Sequence, residues 1–229
     1  MRVVALVPAA GAGRRMGAGK PKAFLPLNGQ PLIVHTLRKF EECPSVDEIL
    51  PLVPEGEVLD CTDWVHRSGF QKIPRVLAGG PERQDSVFIG LQAISGTCDF
   101  VLIHDGARPF VTTSLIEEIL VAAKRYSAVA AALPVGDTLK EVSEDRRILR
   151  TVDRRRFWLM QTPQCFRYDL IFKAHRNARE EKFIGTDDAA LVERIGVQVT
   201  VITGSPLNIK ITTPEDLLVA EALLKHLEQ

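Results

Sequence analysis

Apolar residues fall along this chain in two alternating rhythms. Largely apolar runs at 3–8 (VVALVP), 48–53 (EILPLV), 74–80 (PRVLAGG), 99–106 (DFVLIHDG) and 128–135 (AVAAALPV) read as strands, the first of them fully buried. Helical spacing fills the gaps between them. At 32–40 (LIVHTLRKF) the apolar positions are 32, 33, 37 and 40, and 57–69, 82–94 and 114–126 read as further helices. Ser114 with Glu117 three residues on has the pattern of a capping box. Near the end, 199–204 (VTVITG) and 208–212 (NIKIT) read as strands. A helix over 213–227 follows, with Thr213 as N-cap and Pro214 in the first turn. Strands that alternate with helices predict a mostly parallel sheet covered on both faces: an α/β, Rossmann-like, three-layer domain spanning 1–229.

One segment breaks this rhythm. Residues 137–158 read DTLKEVSEDRRILRTVDRRRFW, two short β-like pieces around the polar turn SEDRR. The pattern predicts a hairpin arm projecting from the domain, rich in arginine. A lone hairpin cannot bury its own apolar side chains, so the arm calls for a second surface, most simply another copy of the chain. A solvated two-stranded flap is the plainer alternative.

Composition removes several classes of function. The 229 residues carry 29 basic and 29 acidic side chains, so no overall basic field favours nucleic acid. No apolar run approaches the ~20 residues a membrane span needs, and the N-terminal stretch lacks a signal-peptide layout. Cys43, Cys61, Cys98 and Cys165 form no CxxC pair, which fits reduced thiols in a cytoplasmic protein. The histidines show no HxxxH spacing, so neither a zinc site nor a histidine nucleophile is expected.

Local clusters carry the chemistry. Residues 6–25 read LVPAAGAGRRMGAGKPKAFL: a strand, a run of small residues, then Arg14, Arg15, Lys20 and Lys22. The stretch is neither a dinucleotide fingerprint, since Met16 occupies the third glycine position, nor a P-loop, since Pro21 replaces Ser or Thr. Small residues let backbone N–H groups approach a phosphate or a base, and the cations offset a polyphosphate. In IHDGARP an apolar strand delivers Asp105 to the carboxyl end of the sheet, where open α/β folds bind ligands. One carboxylate there suits Mg²⁺, which takes one or two carboxylates plus phosphate oxygens; a turn-capping Asp is the alternative. In AGGPERQDSV, Gly79 and Gly80 lead into Arg83, Asp85 and Ser86 at a helix start. Lys210 alternates with Ile209 and Ile211, so a charge on that expected core strand must face a cleft or a partner.

The ordered set VPAAGAGRRMGAGKPKAFL, GGPERQDSV, HDGARPF, DTLK, TVDRRRFW, QTPQCF, TDDAA and NIKITTPEDL resembles the 2-C-methyl-D-erythritol 4-phosphate cytidylyltransferases of the non-mevalonate isoprenoid pathway. The resemblance implies a Mg²⁺-dependent homodimer that joins CTP to a polyol phosphate and releases pyrophosphate. It implies catalytic roles for Arg15, Lys22, Arg154 and Lys210, and a metal carboxylate at Asp105. It assigns the nucleotide to Pro8, Ala9, Ala10, Gly11, Gly79, Gly80, Arg83, Ser86 and Gly106, and the acceptor to Arg108, Thr138, Thr162 and Thr186. Thr138 and Arg154 lie on the arm and would act in the neighbouring subunit's site. Pro81 and Gly106 depart from the family pattern, where a polar residue and Ala are common. Two alternatives stay open: ribitol 5-phosphate as acceptor, and a non-catalytic nucleotide sensor.

Overall fold

The computed structural model describes residues 1–11 and 21–227. Arg14, Arg15 and Lys20 of the opening basic loop therefore lie outside the described residues, and Lys22 within them.

A seven-stranded sheet carries the fold. In chain order its strands are β1 (Val3–Pro8), β4 (Glu48–Val53), β5 (Leu77–Ala78), β6 (Phe100–Ile103), β7 (Ala128–Pro134), β10 (Trp158–Arg167) and β11 (Thr200–Thr203). The short pair β2 (Pro26–Leu27) and β3 (Gln30–Pro31) stands apart, as does the arm, β8 (Leu139–Val142) with β9 (Ile148–Val152). Across the sheet the order is β11-β7-β10-β6-β1-β4-β5. All neighbours run parallel except β10, which is antiparallel to both β6 and β7.

The alternation of β1 explains the layers. Val3, Ala5 and Val7 face one core, with Ile33, Leu37 and Phe40 of α1 (Leu32–Glu41), Val65 of α2 (Val58–Arg67) and Ile116 of α4 (Thr113–Tyr126). Val4 and Leu6 face the other, with Val87 and Leu91 of α3 (Arg83–Ala93), Ile171 of α5 (Tyr168–Glu180) and Leu191 of α6 (Asp188–Arg194). Each such leucine or isoleucine contributes roughly 1.5–3 kcal/mol by leaving water. A third cluster, with Leu27, Phe110 and Ile211, seats α7 (Pro214–Leu227).

Several expectations need correction. Residues 208–212 are not a strand: Ile211 N–H donates to Ala107 O, and Asn208 Nδ2 to Thr162 O at 2.7 Å, holding an irregular loop instead. The third strand shrinks from 74–80 to Leu77–Ala78. The N-cap of α4 is Thr112, whose hydroxyl accepts from Leu115 N at 3.2 Å; Ser114 bonds Glu118, and Glu117 accepts from Cys43 and Ser45. Thr213 does accept from Asp216 N at 3.3 Å, and the Asp216 carboxylate accepts in return from Thr213 N. β10, α5 and α6 had no counterpart in the pattern. β10 hides because its burial does not alternate: residues 158–160 are exposed and 161–166 are buried together, polar Gln161, Thr162 and Gln164 among them, so neither a period-2 nor an apolar-run signal survives.

Candidate active site

The carboxyl ends of β1 and β6 open on a cavity of about 150 Å³. Pro8, Ala9, Ala10 and Gly11 form one wall, where β1 runs out; Ala9 N–H donates to Leu52 O and fixes that end on β4. Lys22 and Ala23 close a second side, in the turn Lys22–Phe24. Arg83 and Ser86 enter from the first turns of α3, Asp105 and Ala107 follow β6, and Lys210 reaches in from the loop before α7.

Close backbone approach shapes the segments beside this wall. A Cβ on Gly79 would stand 2.5 Å from Ala10 Cβ and 2.7 Å from Ser86 Oγ, so only glycine allows these segments to touch. Gly106 is similarly tight, its added Cβ falling 2.9 Å from Ala9 Cβ. Ser86 Oγ accepts from Gly80 N at 3.1 Å, which ties the loop after β5 to α3.

At the centre is Asp105, a buried carboxylate among three cations. Arg83 Nε lies 2.9 Å from its Oδ1; Lys210 Nζ and Arg108 Nε lie 2.8 and 3.6 Å from its Oδ2. Burial by itself would raise its pKa, but Arg83, Lys210 and Arg108 hold it far below the usual carboxylate range. Asp105 therefore stays ionised. Its backbone N–H donates to Thr162 Oγ1 at 3.0 Å. Thr162 is buried, and its hydroxyl oxygen is turned to this support of Asp105.

Arg83 also reaches Asp188, at the start of α6, through Nη1 at 2.6 Å. Asp188 accepts as well from His175 Nε2 at 2.9 Å. Burial pushes the Asp188 pKa up, yet Arg83 and His175 bring it below the ordinary value. Arg108, almost buried, donates to Asn208 O at 2.7 Å, and burial lowers its pKa against the pull of Asp105. Asn208 thus links Arg108 and Thr162 to the loop that carries Lys210.

The expected arm residues lie elsewhere. Thr138 is exposed at the base of β8, and Arg154 sits in the exposed turn Arg154–Arg156, its guanidinium donating to Gly136 O. Neither lines the cavity of its own chain. Thr186 is exposed beside the N-cap of α6. Sequence reasoning missed Asp188, His175 and Asn208. Asp188 lay in the quoted TDDAA, but nothing along the chain ties it to Arg83, 105 residues away.

A sequence model of the 2-C-methyl-D-erythritol 4-phosphate cytidylyltransferases matches residues 3–226. The chain belongs to this family. Relatives of that name from Syntrophus aciditrophicus and Geotalea uraniireducens are 47% and 51% identical, each over 228 residues. The alignments cover 99% and 98% of this chain and 97% of each relative. The crystal structure of the family member from Thermus thermophilus aligns with a TM-score of 0.80 at 37% identity, covering 98% of this chain and all of that one. A 4-diphosphocytidyl-2C-methyl-D-erythritol synthase from Anaerococcus prevotii aligns at 0.87 with 30% identity, covering 98% and 96%. The nucleotidyltransferase fold of this cytidylyltransferase family is thus present over nearly the whole chain. Among the described residues, no helix is long and apolar enough to cross a membrane.

Proposed function

We propose that this chain transfers CMP from CTP to 2-C-methyl-D-erythritol 4-phosphate, releasing pyrophosphate. Asp105 carries the reading: an ionised carboxylate at the end of β6, paired with Lys210 at 2.8 Å and facing the Lys22 side of the same cavity. An acceptor phosphate oxygen attacks the α-phosphorus of CTP, a new P–O bond forms, and the bond to the β-phosphate oxygen breaks. The acceptor monoester is already ionised near neutral pH, so no general base is needed. The protein must instead hold two mutually repelling anions in line and offset charge on the α-phosphoryl oxygens. Lys22, with Arg15, takes that charge; Lys210, with Arg154, positions the acceptor phosphate. Ala9, Ala10, Gly11, Gly79, Gly80 and Ser86 shape the cytidine wall.

The donor set fits Mg²⁺. Among the described residues no group of three or more His, Cys, Asp or Glu forms a protein cage, whereas one ionised carboxylate beside a polyphosphate is the arrangement this ion accepts. Asp105 would hold it, and the ion would supply neutralisation of the phosphate charge.

The arm supports a homodimer. Ile148 and Leu149 are 65% and 61% exposed, and Phe157, Trp158 and Leu159 extend the apolar surface. Covering it with a second copy brings Thr138 and Arg154 to the partner's cavity. Mixing two inactive variants, Arg154→Ala and Lys210→Ala, tests this: the heterodimer regains one intact site if Arg154 acts across subunits, and none if it acts within its own chain.

The primary assay is pyrophosphate release from CTP and Mg²⁺ with methylerythritol phosphate or ribitol phosphate. Release with the first is expected. Release with ribitol phosphate alone moves the assignment to that acceptor, and CTP binding without release makes the protein a sensor. Lys22→Ala should bind CTP but lose turnover; unchanged turnover would remove Lys22 from the mechanism.

A further inference from the structure

The ion network does not end at the cavity. It continues from Asp105 through Arg83, both of which line the cavity, to Asp188 and His175, which do not. Asp188 and His175 are both essentially buried, at 1% and 0% exposure. Burying an unpaired carboxylate is costly, and one this deep persists only because both oxygens are engaged: Oδ2 by Arg83 and Oδ1 by His175. His175 is fixed in turn by stacking on Phe88 of α3, with ring centroids 6.2 Å apart and planes 11° from parallel. Its Nε2 serves Asp188, while its buried Nδ1 has no partner. The contact set aims His175 at Asp188 and at nothing else polar.

Arg83 is consequently divided between two carboxylates, Nε on Asp105 and Nη1 on Asp188, while Nη2 is buried without a partner. Asp105 Oδ2 is already held by Lys210 Nζ at 2.8 Å, so Arg83 grips Asp105 through a single oxygen. We infer that Asp188, anchored by His175, is a positioning residue that limits Arg83 to this single contact on Asp105, a hold that the divalent cation accompanying CTP can displace. This rests on the reading of Asp105 as the metal carboxylate. Without the Asp188 charge, Arg83 brings a second N–H to Asp105 and competes more strongly with the cation for the carboxylate.

Calorimetric titration with CTP separates these claims, run once in EDTA and once with Mn²⁺. The ratio of the two Kd values measures the metal's contribution. In the wild type Mn²⁺ tightens binding, and Asp105→Asn brings the ratio close to one; a ratio unaffected by Asp105→Asn would overturn the metal reading itself. Asp188→Asn should reduce the metal's contribution about tenfold, the scale of coupling between groups that share a partner. Arg83→Gln should increase it, because the competing cation is gone. In the double variant the Asp188→Asn effect should vanish. Three results overturn the inference while leaving Asp105 as metal ligand: a wild-type ratio in Asp188→Asn, an equal loss in the Arg83→Gln background (a through-space field rather than a restraint), or no gain in Arg83→Gln. Since Arg83→Gln tests the same idea independently, a failure of Asp188→Asn to fold does not protect it.

Discussion

Thr162→Val separates support of Asp105 from direct contact with a substrate. The valine has nearly the same shape but removes the oxygen that accepts the Asp105 N–H at 3.0 Å. Both residues are buried, at 5% and 6% exposure, so water does not readily replace the lost partner. A buried N–H left unsatisfied costs about 1–3 kcal/mol. In a domain of this size each kcal/mol lowers Tm by about 2–4 °C, so the substrate-free variant should melt about 2–12 °C below the wild type. Turnover should fall with it, since even ~1 Å of misplacement at the reacting groups can cost about 10²-fold. Thr162→Ser retains the hydroxyl and should restore most of both. The assay is thermal unfolding without ligands, alongside kcat and KM for the acceptor. If Thr162→Val left Tm unchanged and raised only the acceptor KM, the hydroxyl would be a substrate contact and the reasoning from the Asp105 hydrogen bond would fail.

Other outcomes follow from the same geometry. Lys210→Gln removes the cation 2.8 Å from Asp105 and should lower kcat about 10²–10³-fold, as loss of one charge-stabilising donor does; a loss confined to folding yield would argue for a structural lysine. Gly79→Ala forces a methyl group to 2.5 Å from Ala10 Cβ, an overpacking worth about 1–3 kcal/mol, and should show as weaker CTP binding by calorimetry. Burial pushes the thiols of Cys43 and Cys61 up to about 11 and about 12. The folded protein should then leave both unlabelled by a thiolate-specific reagent at pH 8, with labelling on unfolding. The sign for stability is set by the same shift: protonated thiols favour the fold below the ordinary value of 9.0, and that contribution is lost as pH rises past it. Cys61→Ala should flatten the alkaline decline in urea unfolding, and an undiminished slope would count against this cause.

The sequence by itself determined the parallel half of the sheet, because β1, β4, β6 and β7 are buried on both faces and must be apolar throughout. It also determined part of the cavity's lining. Small residues at 8–11 and a lone Asp at the end of an apolar strand state their chemistry locally. The tertiary structure decided the rest. β10 was illegible because it buries polar Gln161, Thr162 and Gln164 without alternation, and Lys210 proved to sit on a loop whose conformation comes from Asn208 bonding Thr162 across 46 residues. The cap of α4 fell to Thr112 once Glu117 found Cys43 and Ser45 on another segment. Above all, sequence shows Arg83 only as a cation near a helix start. Its division between Asp105 and Asp188 exists because the fold brings the starts of α3 and α6 to the end of β6, and charges separated along the chain couple only where folding removes the water between them.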